Sequence, residues 1–242
     1  MDIHSKQNLN TENLEQGNYC LTGTILRRKS SIKSTQHLLI FFKGLGPRWV
    51  SAPINRSRTG ITGVEPLVWG SFNLYQSPNS LSVKSFDVKE DFLKIRMTPK
   101  KLLCAVKLYK LAGDKLFLGH GNDDALKLLW NTMNQISEVE NLDYVEFRFI
   151  WRLLNIMGRA PSLKYCVNCG AKIEDIPAKW SEDGLICNKC SENLDLSCEE
   201  IKKLQYIISL NQENFIKWVD MVERDERVVS ISKKMLTFFD IA

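Results

Sequence analysis

The chain has 242 residues, 44% hydrophobic and 25% charged, the make-up of an ordinary globular protein of about two domains. No apolar run approaches the ~18 residues of a membrane span, and residues 1–17 are polar, without the apolar stretch of an export signal. The net charge of +5 is modest but uneven: residues 1–90 hold eleven Lys and Arg against six Asp and Glu, and residues 91–242 hold twenty-two of each.

Residues 1–18 read as a flexible polar tail. From 19 to 63 there is no acidic residue and there are eight basic ones: Arg27, Arg28, Lys29, Lys33, Lys43, Arg48, Arg56 and Arg58. Ordinary surfaces mix both signs. A one-sign segment attracts polyanions, because phosphates neutralised by Lys and Arg release their counterions. These eight residues, with Trp49 as a base-stacking aromatic, are the expected DNA-binding set. Phe42 is a second stacking candidate.

The same stretch reads as short strands at 19–26, 36–42 and 48–54, followed by two more at 65–75 and 80–88. Glycine and proline mark the bends at 43–47, 60–63 and 76–80. Thr24 with Arg27, and Trp49 with Ser51, alternate in part, so one face meets solvent or ligand. Five short strands with a basic, aromatic-bearing face suggest an OB-like barrel, and an SH3-like barrel has the same sequence appearance.

After Met97 the period changes. Thr98 reads as an N-cap and Pro99 as the first helical position of a helix ending before Gly113. A second helix starts near Asn122, and a third spans 142–157 and closes at Gly158. Further helices are expected at 197–210, 213–222 and 226–239. Phe147, Phe149, Trp151 and Trp218 read as core.

Between the third and fourth helices stand Cys166-Val-Asn-Cys169 and Cys187-Asn-Lys-Cys190, seventeen residues apart. Two residues between cysteines let one turn aim both sulfurs at one metal, and two such turns supply a tetrahedral shell. Cys166, Cys169, Cys187 and Cys190 are thus the expected ligands of one structural zinc, with Gly170 freeing the backbone after the first pair. Four protein ligands close the site to chemistry. Cys20, Cys104 and Cys198 read as buried thiols, and seven cysteines without an export signal fit a reducing compartment, here the cytoplasm. No catalytic residues are expected: His4, His37 and His120 lack partners by spacing, and no H-E-x-x-H, G-x-S-x-G or Walker-type run occurs.

The stretch 153–170, Leu-Leu-Asn-Ile-Met-Gly-Arg-Ala-Pro-Ser-Leu-Lys-Tyr-Cys-Val-Asn-Cys-Gly, resembles the RecO family of bacterial recombination mediators. Its helix end, glycine, proline and first cysteine pair follow the family's order. Residues 184–190 resemble the second pair after a glycine hairpin, and residues 21–28 and 63–70 resemble two barrel strands. One departure is the turn Asn55-Arg56-Ser57-Arg58-Thr59-Gly60, where the family carries a more basic one. The resemblance implies an α+β chain: a tail at 1–18, a five-stranded OB-like barrel at 19–90, and a helical domain at 91–242 with a zinc ribbon at 163–192. It implies a non-enzymatic, nucleoid-associated mediator of DNA repair and homologous recombination. Such a protein binds single- and double-stranded DNA, engages the acidic C-terminal tail of single-strand-binding protein, and pairs with RecR. It anneals strands and helps load RecA. The tail would need a basic residue beside an apolar groove in the helical half. The alternatives are a zinc-ribbon transcription or RNA-binding factor and, less well matched, a metal-dependent nuclease.

Overall fold

A computed structural model describes residues 14–30, 35–53 and 65–239. The chain divides into two compact units, 1–129 and 130–242.

The first unit is built on five strands: β1 (Gly17–Ser30), β2 (Thr35–Phe42), β3 (Gly46–Pro53), β4 (Trp69–Gln76) and β5 (Leu81–Glu90). β1 pairs antiparallel with β2 and with β4, β2 with β3, and β4 with β5. β3 and β5 meet in parallel at Ser51 and Ser82, which closes the barrel in the order β1-β2-β3-β5-β4. This closed five-stranded arrangement is OB-like, which strand spacing alone left open against an SH3-like barrel.

Alternation fills the interior with Ile25, Leu38, Ile40, Phe42, Val50, Phe72, Leu74 and Val83. The Phe42 and Phe72 rings meet edge to face, 5.7 Å apart. The outward residues of β2, Leu39 and Phe41, are buried as well. Their cover includes helix α2 (Pro99–Lys115), entered through a short helix α1 (Leu93–Arg96). α1 follows Phe92, which has φ 52°, and four residues are too few to show a period.

α2 does not stop before Gly113 as its sequence suggests. A Cβ there would lie 3.5 Å from Leu39 Cδ2 and 3.7 Å from Leu26 Cβ, so the helix continues across the barrel wall. Glycine costs a helix about 1 kcal/mol. Burying Leu26 and Leu39 returns roughly 1.5–3 kcal/mol each. Beneath α2, the Tyr109 hydroxyl accepts from Trp69 Nε1 at 2.6 Å and shares a hydrogen bond of 3.0 Å with Thr24 Oγ1. Burial pushes the Tyr109 pKa well above the usual phenol value, so it keeps its proton.

Helix α3 (Asp123–Glu138) starts as expected, with the Asn122 carboxamide accepting from Ala125 N at 2.9 Å, and the boundary between the units falls within it. The second unit continues with α4 (Leu142–Ile156), the hairpin β6 (Ala178–Ser181) and β7 (Gly184–Cys187), and α5 (Cys198–Ser209), α6 (Gln212–Val219) and α7 (Glu226–Thr237). Val145, Phe149 and Leu153 are buried along one stripe of α4. Phe147 is buried too, while Trp151 and Trp218 are only half-buried. Ser197 caps α5 through a reciprocal pair: Glu200 N donates to Ser197 Oγ at 3.2 Å and Ser197 N to Glu200 Oε2 at 2.8 Å.

Candidate metal centre and nucleic-acid face

The Cys166 turn is closed by Gly170 N donating to the Cys166 carbonyl at 2.9 Å, with Gly170 at φ 72°. The Cys187 turn is closed by Cys190 N and Ser191 N donating to the Cys187 carbonyl at 3.0 and 3.1 Å. Hairpin pairing delivers Cys187 at the end of β7, and Val167 N donates to Leu185 O at 3.0 Å, which joins the two turns. The four Sγ atoms then lie within 4.8 Å of one another. Cys169 and Cys187 Sγ are 3.7 Å apart. A tetrahedral shell with metal–sulfur bonds of about 2.3 Å needs sulfurs about 3.8 Å apart. The arrangement can therefore hold a metal ion.

The sulfurs' proton affinities agree. Burial opposes the Cys166 thiolate, but N–H groups of Cys187, Cys169 and Asn168 outweigh it and pull its pKa down to about 6. Cys190 is pushed up to about 12 by hydrogen bonds from its sulfur to Cys169 and Cys187. Sulfurs this close cannot all be anionic without a cation among them. Cys166 and Cys187 are buried, whereas Cys169 and Cys190 are exposed. Of the other three cysteines Cys104 is buried and Cys198 half-buried, but Cys20 is exposed, because it faces outward on β1 while Leu21 faces in. The ribbon is tied to α5 by Gln205, whose Nε2 donates to Leu163 O at 2.7 Å and to Ile173 O at 3.4 Å.

Cross-strand register sets the outer face of the barrel. Arg27 pairs with Leu39 and Leu39 with Trp49; Lys29 pairs with His37 and His37 with Ser51. Two rows on three strands thus bring Lys29, His37 and Trp49 to one face, with Lys29 Nζ 4.8 Å from the Trp49 ring centroid. Arg28, Lys29 and Lys43 are exposed, and Arg48 and Trp49 half-buried. Arg27, half-buried, also meets α2. Its guanidinium pairs with Asp114 and donates to Lys110 O at 3.2 Å, which links β1 to α2. Lys33, Arg56 and Arg58 lie outside the described residues, as does His4. Among the described residues neither His37 nor His120 meets a carboxylate.

The charge asymmetry follows the structural boundary more sharply than any boundary at residue 90. Residues 1–129 hold nineteen Lys and Arg against ten Asp and Glu, a net +9; residues 130–242 hold fourteen against eighteen, a net −4.

The sequence marks no groove in the second unit. One of about 710 Å³ lies there, walled by Tyr206, Trp218 and Val222 with Lys164, Lys202 and Lys203 beside them. The Tyr206 and Trp218 rings meet edge to face at 5.4 Å. Lys203 is paired with Asp225 at 2.6 Å, and Lys202 with Asp175. Lys164 comes from the ribbon and the rest from α5, α6 and the chain beyond. Only the fold joins them, although the i, i+3 spacing of Lys203 and Tyr206 was a local hint.

Barrel, helices and ribbon together define an OB-barrel protein with an embedded cluster of four cysteines that could hold a metal ion. The family described as Recombination protein O C terminal matches residues 96–217. A protein of Acetivibrio thermocellus named DNA repair protein RecO is 26% identical over 212 residues, covering 83% of this chain and 84% of that one. Its namesake in Caldicellulosiruptor saccharolyticus is 24% identical over 234 residues, covering 90% and 96%. A third, from Caldicellulosiruptor bescii, is 22% identical over 200 residues, covering 81% and 82%. The chain belongs to the RecO family of DNA-repair and recombination proteins. No helix among the described residues is long and apolar enough to cross a membrane.

Proposed function

We propose that this protein is a non-catalytic recombination mediator that acts in the cytoplasm on the nucleoid. It binds single- and double-stranded DNA through the barrel, engages single-strand-binding protein and RecR, anneals complementary strands and helps load RecA. The observation that carries this reading is the outer barrel face, where Lys29 and His37 pair in one row and Trp49 stands in the next, on three strands of a unit with net charge +9. Basic side chains there would track phosphates, and Trp49 would stack on bases without reading their sequence. The metal in the ribbon is zinc, held by four thiolates, and it serves the fold.

The second unit's groove is the place for the acidic tail of single-strand-binding protein. Its aromatic wall suits an apolar peptide end, and Lys164, Lys202 and Lys203 suit carboxylates. The ion pairs of Lys202 and Lys203 with aspartates would be exchanged for pairs with the peptide at little net cost, because such partly exposed pairs contribute only about 0–1 kcal/mol.

The test is annealing of complementary strands coated with single-strand-binding protein. The full chain should accelerate it, and Trp218→Ala should abolish the acceleration while leaving binding to bare DNA intact. No acceleration by the full chain would count against the mediator reading and favour the zinc-ribbon transcription or RNA-binding alternative.

A further inference from the structure

The loop 116–122 between α2 and α3 carries Phe117 and Leu118, with 76% and 54% of their surfaces exposed. Exposed apolar side chains are common singly, but two in succession on a firmly held loop ask for a reason. This loop is firmly held. Gly119 N donates to Pro47 O at 2.8 Å, at the start of β3. Gly46 has φ +75°, and a Cβ on it would sit 1.9 Å from the His120 carbonyl oxygen, so the two backbones touch where no side chain fits. A Cβ on Gly119 would lie 3.2 Å from the Arg48 guanidinium, which therefore lies flat along the loop. At the far end, Gly44 N donates to Asp123 Oδ1 at 2.7 Å. The Phe117 ring itself stands edge-on to His120, with centroids 6.1 Å apart.

The loop is thus fixed at Pro47, and Pro47 is two residues from Trp49 on the same outward side of β3, paired opposite Phe41 as Trp49 is paired opposite Leu39. Two residues along a strand span about 7 Å. The loop that carries Phe117 is therefore anchored about one nucleotide step from Trp49, within reach of the same extended single strand. Exposed Lys43, in the turn before β3, puts a basic residue at the same end of the barrel.

We propose that Phe117 is a base-stacking residue for single-stranded DNA, and that the loop 116–122 extends the barrel's interface beyond Trp49. This rests on the reading of the β1–β3 outer face as the DNA face. A ring held in place and open to water loses little freedom when a base stacks on it, which favours stacking over an ordered but collapsing loop. Bases in a duplex are already stacked and offer no free face, so the contribution is specific to single strands.

Anisotropy titrations of the full chain with a labelled oligothymidylate, an abasic strand of equal length and a duplex test this. Phe117→Ala should bind oligothymidylate about 5- to 150-fold more weakly, the fold-change that stacking of one base on one aromatic carries. Its affinity for the abasic strand and for the duplex should match that of the parent, and Phe117→Trp should restore binding. Because the side chain is exposed, the melting temperature should not move. Unchanged oligothymidylate binding by Phe117→Ala, alongside a loss in Arg28→Glu/Lys29→Glu, would overturn the assignment of Phe117 and leave the DNA face standing. An equal loss on the abasic strand would also overturn it, since no base is there to stack. If neither Phe117→Ala nor the double reversal alters DNA binding, the reading of the face itself falls, and Phe117 with it.

Discussion

Replacing Arg148 by Met sets two large contributions in the second unit against each other. The guanidinium is buried to 1% exposure and is met by carbonyls and a ring. Nη1 donates to Ile207 O, Nη2 to Leu210 O at 2.5 Å, and its central carbon lies 4.3 Å from the Phe215 ring centroid. Those carbonyls lie at the C-terminal end of α5, where acceptors lack helical partners and cations are favoured. Burial, and then the like charge of Arg152, pushes the Arg148 pKa down to about 9, which leaves it charged at neutral pH. Methionine removes two charge-assisted hydrogen bonds, about 1.5–3 kcal/mol each. It removes a cation–ring contact of about 1–2 kcal/mol. It also relieves the desolvation of a buried charge, several kcal/mol in the other direction. Arg152 continues to donate to Leu210 O at 3.3 Å, so the Ile207 carbonyl is the acceptor that loses most, at about 1–3 kcal/mol. The expected net loss is about 2–3 kcal/mol. In urea titrations followed by tryptophan fluorescence, with a slope of about 2–3 kcal/mol/M, the midpoint should fall by about 1 M. An unchanged or higher midpoint would mean that desolvation outweighs the bonds and that Arg148 is not what fastens the end of α5.

Three further outcomes are expected. Purified protein should carry one zinc per chain by elemental analysis; Cys169→Ser should lower metal affinity on the order of a hundredfold and raise hydrogen exchange in the ribbon, because metal binding there is folding energy. Arg28→Glu/Lys29→Glu should weaken DNA binding alike for all sequences and reduce the salt slope by roughly 1.4–1.8, the share of two phosphates. Asp225 bonds Lys203 Nζ at 2.6 Å and accepts from Arg227 N at 2.9 Å; burial raises its pKa, but these partners outweigh burial and hold it below the usual carboxylate range. A carboxylate so depressed contributes stability above its unfolded pKa and loses it as pH falls through the folded one. Asp225→Asn, which keeps the cap of α7, should therefore cost about 1 kcal/mol or less at pH 7, and the two proteins should melt alike once the pH drops below the aspartate range.

What was legible in the chain was local. Four cysteines in two pairs mark a cluster able to hold a metal by spacing alone, since each turn needs only four consecutive residues. The barrel strands showed themselves through alternation and glycine-marked bends, though β1 runs four residues past its expected end at 26 and β4 begins at Trp69 rather than 65. What the chain hid was nonlocal. Gly113 reads as a helix stop because its reason for staying in α2, contact with Leu26 and Leu39, lies more than seventy residues away. Arg27 reads as a phosphate contact, and its pairing with Asp114 on α2, which links strand to helix, is invisible in the sequence. The loop at 116–122 falls in the gap between two expected helices, because its exposure and its anchorage at Pro47 both arise only from folding. The groove is hidden for the same reason, with Lys164 and Trp218 separated by the whole ribbon and α5.

The opposite net charges of the two units bear on how one chain would hold two acidic ligands. DNA presents a charge every few ångströms, so its affinity accumulates from many phosphates and needs a surface of one sign, which a unit of net +9 supplies. A short acidic peptide offers a handful of carboxylates and an apolar end. The net −4 of the second unit would repel it at a distance, yet at physiological salt that field decays within about 8 Å. Inside that range Lys164, Lys202 and Lys203 govern, and Tyr206 and Trp218 contribute contact that salt does not weaken. The two proposed interactions should therefore separate on a salt axis: DNA affinity should fall steeply between 50 and 200 mM, as it does for proteins making 6–10 phosphate contacts, roughly 10³- to 10⁵-fold, and peptide affinity only slightly. Parallel slopes would mean that both ligands are held by the same basic surface. The division of labour between barrel and groove would then be wrong, whatever the affinities.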